Sequence, residues 1–203
     1  RRWLQEPPYL AEQRVTLRHT HVKQPIFSRT YSTTRIRQET PDIALLLLSH
    51  MLGGGKNSVL YQHLVVDKRL ASAASCNYNV FSRGPAEFKC ELVPESGVDM
   101  AAVETAFDQI LADFMTKTVP ADALTRSQNS LVAEAIYARD GLTSISNVMG
   151  WIRISGYSAQ MFNQWETLIR NVTAAQIAEA AKQVLLRESS VTGELLPAGQ
   201  EHP

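Results

Sequence analysis

Few residues in this 203-residue chain have types and spacings that could do chemistry. The first candidate is Gly53-Gly54-Gly55-Lys56, a glycine run ending in lysine. A phosphate-binding loop needs Gly-x-x-x-x-Gly-Lys-Ser/Thr after a strand, so that backbone N–H groups cradle the phosphates. Here Asn57 follows Lys56, His50 holds the first glycine position, and the preceding stretch reads as a helix. The run is therefore a connection between two helices. A second candidate is His19 with His21, two apart on an alternating stretch and able to point the same way. No third ligand lies near, so both read as solvated histidines at a strand end. Glu134, Asp140 and Asp108 sit among polar and charged neighbours and read as solvated helix faces. No Gly-x-Ser-x-Gly, His-Glu-x-x-His or His-x-x-Glu-His occurs, so no catalytic, cofactor or metal site is visible from spacing.

The remaining chemistry is in Cys76 and Cys90. Ala74, Cys76, Tyr78 and Val80 alternate with polar residues, as do Phe88, Cys90 and Leu92, around a turn at Ser82-Arg83-Gly84-Pro85. Counting outward from Arg83 places the cysteines opposite each other on the apolar face. Two buried thiols are expected, since free cysteine packs as a small hydrophobe. A disulfide is the alternative in an oxidising compartment.

The elements that hold these residues follow from periodicity. Residues 1–13 contain Pro7-Pro8 and read as a strap, 14–197 as one α+β domain, and 198–203 as a tail. Two strands are expected between Arg14 and Thr34. The core centres on an apolar helix from Ile43 to Leu52, started by Thr40-Pro41 and stopped by Gly53, Gly54 and Gly55, whose glycines allow left-handed dihedrals. Asn57 is expected to cap the next helix. After the hairpin come a helix begun by Asp99, another begun by Pro120, a third over about 141–155 and a fourth around Trp165. A last helix follows, with Thr173 and Gln176 forming a capping box, and a closing strand spans Ser190 to Leu196. This order gives an antiparallel-rich sheet with helices segregated to one side.

Twenty basic and twenty acidic residues cancel, with no Lys/Arg cluster to meet nucleic acid. No apolar run approaches the ~20 residues of a membrane span. The opening Arg1-Arg2-Trp3 has no initiator methionine and suggests a fragment.

The string Leu52-Gly53-Gly54-Gly55-x-x-Ser58-x-Leu60-Tyr61-Gln62-x-Leu64-Val65, then Leu70-Ala71, resembles the second half of the pitrilysin/insulinase family of inverted-zincin metallopeptidases. The resemblance continues through Val93-Pro94-x-x-Gly97-Val98-Asp99, the run from Asn129 to Asp140, and Val172-Thr173-Ala174-Ala175. It implies a half-domain of the mitochondrial-processing-peptidase-like metallohydrolase fold, one of two halves closing on a peptide substrate. Zinc would sit on His-x-x-Glu-His in the N-terminal half, with no cofactor in this fragment. In active second halves an arginine and, seven residues later, a tyrosine reach the cleft. The resemblance puts Val65 and Ser72 at those positions, and neither can stabilise an oxyanion as Arg or Tyr would. The implied role is a non-catalytic half that encloses peptide and docks the zinc-bearing half, or a homo- or hetero-dimer partner subunit, with the periplasm as the favoured compartment. The alternatives are a non-enzymatic scaffold similar to respiratory-complex core proteins, or a stand-alone ligand-binding domain with a sealed pocket.

Overall fold

Helix α1 (Ile43–Gly53) is the hub of the protein. Its residues are apolar on nearly every face, and Leu45, Leu47, Leu48, Met51 and Leu52 are all buried. Such a helix is stable only when covered all round. It packs against strands on one side and three later helices on the other. The computed structural model describes residues 11–33, 42–82 and 86–198. The expected start at Thr40-Pro41 lies outside them. Asp42 is the N-cap, its Oδ1 accepting from the Leu45 N–H at 3.2 Å.

The strands are β1 (Gln13–His19), β2 (Ile26–Thr33), β3 (Ala71–Tyr78), β4 (Ala86–Pro94) and β5 (Ser190–Pro197). They form one sheet in the order β1-β5-β2-β4-β3. Every pairing is antiparallel except β1 with β5. The closing strand thus inserts between the two opening strands, joining the ends of the described chain.

Alternation splits the sheet into two faces. Phe27, Tyr31, Cys76, Tyr78, Phe88 and Leu92 are buried beneath the helices. Ser75, Asn77, Glu87 and Glu91 are exposed on the opposite face, and Ser28, Thr30 and Lys89 are half-buried there. The expected α+β half-domain, with helices on one side, is the observed architecture. The helices after β4 are α2 (Met100–Thr116), α3 (Ala121–Tyr137), α4 (Leu142–Ile154), α5 (Met161–Arg170) and α6 (Ala174–Val184). Asp99 stands at the N-cap of α2 but makes no side-chain cap bond. The capping box forms as expected, with the Thr173 hydroxyl accepting from Gln176 N–H and the Gln176 side chain from Thr173 N–H.

Two expectations are corrected. The cysteines are not free thiols: Cys76 and Cys90 form a disulfide, with Cα atoms 4.1 Å apart. Direct cross-strand pairing on one face brings the sulfurs within bonding reach, and the burial that would suit thiols suits the disulfide equally. Asn57 does not cap the next helix. The Ser58 N–H closes a turn on the Gly55 carbonyl, which holds Asn57 inside it, and the first helical bond runs from Gln62 N–H to the Ser58 carbonyl. The chain then widens into a π-helical segment, Tyr61–Asp67.

The glycine run works differently at each end. Gly55 takes φ +119°, the left-handed region that favours glycine. Gly53 is helical, and a β-carbon there would stand 1.9 Å from the Cys76 backbone nitrogen. Its role is close approach of α1 to β3, the contact that seats the hub helix on the sheet.

Candidate functional site

Gly53, Gly54 and Gly55 lie at the C-terminal end of α1, where it meets β3. Val65 lies in the π-helical segment, half-buried against the core. Ser72 is exposed at an irregularity in the β3–β4 ladder, its hydroxyl donating to the Val93 carbonyl at 3.3 Å. It lines a groove of about 1160 Å³ at one end of the sheet. Arg14, Arg18 and Lys23 border this groove together with Glu95, Asp99 and Glu104, so its walls carry both signs of charge. Val65 is not among its lining residues.

The groove adjoins a cluster of charges that sequence reasoning missed. Arg29 occupies a buried, inward position of β2 between Phe27 and Tyr31, and only 1% of it is exposed. A guanidinium there is costly unless every donor is satisfied. Its Nε donates to Thr192 Oγ1 at 3.0 Å, one terminal nitrogen to Glu104 at 2.5 Å, and the other to Asp108. The planar group also lies 5.4 Å and 5.5 Å from the Phe27 and Phe107 ring centroids. Arg187 bonds the same acids, reaching Asp108 at 2.8 Å and Glu104 at 3.3 Å, and takes Glu12 at 2.7 Å. Arg14 adds bonds to Glu104 and Glu194, each 2.6 Å.

This clasp ties β1, β2 and β5 to α2. Thr192 relays it, accepting from Arg29 and donating to Glu12 at 2.8 Å. Burial alone would raise the Glu12 carboxyl, but bonds from Arg187 and Thr192 and the charges of Arg187 and Arg29 outweigh it. Its pKa ends below the ordinary 4.5. Burial raises the Tyr31 phenol well above its usual range. Every carboxylate in the clasp is engaged by arginine, which suits clamping rather than proton transfer. Asp108 is thereby corrected. It is one half of an i,i+4 acidic pair with Glu104, facing Arg29 across the helix–sheet seam, and not a solvated charge. Glu12, inside the expected strap, belongs to the same clasp.

Glu134 and Asp140 are exposed. Glu134 lies 3.9 Å from His50 Nε2, and burial lowers the His50 pKa below 6.5. His19 and His21 are exposed with rings 4.9 Å apart, and His19 Nδ1 accepts from the His21 backbone N–H at 3.2 Å. Among the described residues no group of three His, Cys, Asp or Glu side chains is placed to hold a metal ion. No helix among them is long and apolar enough to cross a membrane.

Similarity to known proteins agrees with this geometry. A protease from Helicobacter pylori superposes with a TM-score of 0.87 at 17% identity, over 96% of this chain and 46% of that one. The peptidase M16 inactive domain from Pseudomonas fluorescens gives 0.76 at 13% identity, over 97% of this chain and 45% of that one. The periplasmic protease PqqL from Escherichia coli gives 0.70 at 16% identity, over 93% of this chain and 21% of that one. The chain therefore spans less than half the length of these solved relatives. At such identities the likeness shows the fold alone. Comparison with curated protein sequences finds no match. The sequence pattern described as Peptidase M16 inactive domain matches residues 1–131, well over half of the chain, and the protein belongs to that family.

Proposed function

We propose that this domain is the catalytically silent half of a two-half zinc peptidase, which encloses peptide and docks the zinc-bearing half. The observation that carries the reading is the helix-free sheet face. Helices bury one side of β2, β3 and β4, whereas the other presents Ser28, Thr30, Ser75, Asn77, Lys89 and Glu91, with the exposed Val15 and Leu17 of β1 beside them. A sheet covered on one side and clamped to α2 by the Arg29 cluster is a rigid wall whose open face is polar over β2, β3 and β4 and apolar at Val15 and Leu17. Its polar side chains can bond an extended peptide, whose backbone needs hydrogen-bond partners along its length.

Zinc-activated water attacking a peptide carbonyl would belong to the other half, because the described residues here do not fit a zinc site. Val65 and Ser72 occupy the positions where active relatives bring arginine and tyrosine. Any pair stabilising the oxyanion would then come from another subunit or half. The Cys76–Cys90 disulfide supports an oxidising compartment, in keeping with an exported protein.

Hydrogen–deuterium exchange of this domain, with and without its zinc-bearing half and a peptide, tests the reading. Protection should appear on β3, the edge strand that bears Ser75 and Asn77, and in the groove beside Ser72, because β2 and β4 amides are already bonded within the sheet. Protection confined to the helical side would refute it.

A further inference from the structure

Asp140 and Gly141 join α3 to α4, and the pair is placed for a reaction of the backbone with its own side chain. The turn that ends α3 is closed by the Arg139 N–H on the Ile136 carbonyl at 3.0 Å and the Asp140 N–H on the Tyr137 carbonyl at 3.1 Å. Gly141 then stands at the N-cap of α4, with φ −119° and ψ 132°. Its carbonyl accepts from the Ile145 N–H at 2.9 Å. Among the described residues neither the Gly141 N–H nor the exposed Asp140 carboxylate has a hydrogen-bond partner. Without a β-carbon, Gly141 leaves that nitrogen uncrowded.

No other Asp or Asn in the chain precedes a glycine. Elsewhere in the connectors the following N–H is engaged. The Lys68 N–H after Asp67 donates to the His63 carbonyl at 3.0 Å, and the Val172 N–H after Asn171 to the Ile169 carbonyl at 3.3 Å. Asn57-Ser58 also has a small second residue, yet the Ser58 N–H donates to the Gly55 carbonyl at 3.1 Å. Such a bond must break before the nitrogen can react, and it makes Asn57 the internal control for Asp140.

We propose that Asp140 with Gly141 is a site of spontaneous backbone modification, isomerisation to isoaspartate through a cyclic imide. The Gly141 nitrogen attacks the carbon of the Asp140 side-chain carboxyl. A C–N bond closes a five-membered ring, the nitrogen gives up its proton, and a carboxyl oxygen leaves as water. Water then opens the ring at either carbonyl. Opening at the side-chain carbonyl restores aspartate. Opening at the main-chain carbonyl routes the backbone through Cβ and leaves the α-carboxylate as the side group. No oxidant or cofactor takes part. The rerouted chain is longer by one methylene, inserted between two fixed points. Before it, Arg139 donates to the Phe162 carbonyl at 2.8 Å. After it, α4 is seated by its buried Ile152, which lines an apolar cavity with Leu46, Leu131 and Trp165. The site is remote from the open sheet face and stands whether or not the peptidase reading does.

The test is prolonged incubation of the full-length protein at neutral pH, folded and in urea. Isoaspartate is read by enzymatic methylation of its α-carboxylate and located by electron-transfer fragmentation of the peptides. Asp140 should isomerise at rates within about threefold of each other in the folded and unfolded chain, since no net hydrogen bond holds the pair back. Asn57 should react about fivefold or more slowly when folded, because its neighbour's N–H must first leave Gly55. Gly141→Val, which crowds the nitrogen, should slow the reaction at Asp140 about tenfold or more. Asp140→Glu, which keeps the charge but demands a six-membered ring, should slow it as much. Either variant decides the matter if the other does not fold. No isoaspartate at Asp140 in the folded protein, protection of Asp140 by folding as strong as that of Asn57, or an unchanged rate in the variants would overturn the inference.

Discussion

Replacing Arg29 by methionine probes whether the clasp holds the sheet edge to α2. Methionine keeps the aliphatic bulk between Phe27 and Phe107 but removes the bonds to Asp108, Glu104 and Thr192. The acids it abandons are largely covered, with side chains 13% and 27% exposed at Glu104 and Asp108. Breaking a buried ion pair on one side costs about 3–5 kcal/mol. Arg14 still reaches Glu104 and Arg187 still reaches Asp108, so the expected loss is nearer 2–3 kcal/mol. For a domain of this size that lowers Tm by about 4–12 °C. The assay is thermal unfolding followed by circular dichroism, with Arg29→Met/Glu104→Gln/Asp108→Asn run alongside. Neutralising both acids should restore part of the loss, the share owed to carboxylates that Arg14 and Arg187 compensate incompletely. A Tm within about 2 °C of the parent for Arg29→Met, or no recovery in the triple variant, would refute the reasoning.

Denaturation without reductant should expose no alkylatable thiol, and Cys76→Ala/Cys90→Ala should cost about 3 kcal/mol for a loop closed across 14 residues. Two labelled thiols would contradict the disulfide. Gly53→Ala should prevent stable folding or cost several kcal/mol, since its β-carbon meets the β3 backbone, whereas Gly55→Ala should cost only about 1–2 kcal/mol for its positive φ. Equal losses in urea titration would count against the close-approach argument. Stability should also decline with acid in two stages. His50 has a folded pKa below 6.5, so only the unfolded chain gains its proton as pH drops below that value. Glu12 has a folded pKa below 4.5, so its contribution is complete above 4.5 and is lost as pH falls through the folded value. A midpoint in urea unchanged from pH 7 to pH 5 would contradict the first stage, and one unchanged from pH 5 to pH 2 the second.

Much of the architecture is legible in the residues because periodicity and local stop signals agree. The apolar run before Gly53 reads as a hub helix, Thr173 with Gln176 as a helix start, and the counted hairpin register puts Cys76 against Cys90. What escapes is set by contacts distant in sequence. The parallel pairing of β1 with β5 joins residues about 180 positions apart, and no local pattern encodes it. The clasp is similar. Arg29 falls on the same strand parity as Phe27 and Tyr31, and Glu104 with Asp108 form an i,i+4 acidic pair, so each half leaves a trace. Only the fold shows that the halves meet. The choice between thiols and disulfide depended on sulfur geometry, which register alone leaves open. The apolar cavity lined by Leu46, Leu131, Ile152 and Trp165 assembles from four helices, a convergence without a sequence signature.

In the proposed function this half is silent alone and completes an active site supplied elsewhere. The most direct test measures zinc content and peptide hydrolysis for this domain, for the zinc-bearing half, and for the two combined. The proposed function requires no stoichiometric zinc and no hydrolysis from this domain, zinc in the other half, and full activity only in the combination. One zinc per domain with peptide cleavage by this chain alone would contradict it, and neither zinc nor activity in any combination would favour the scaffold.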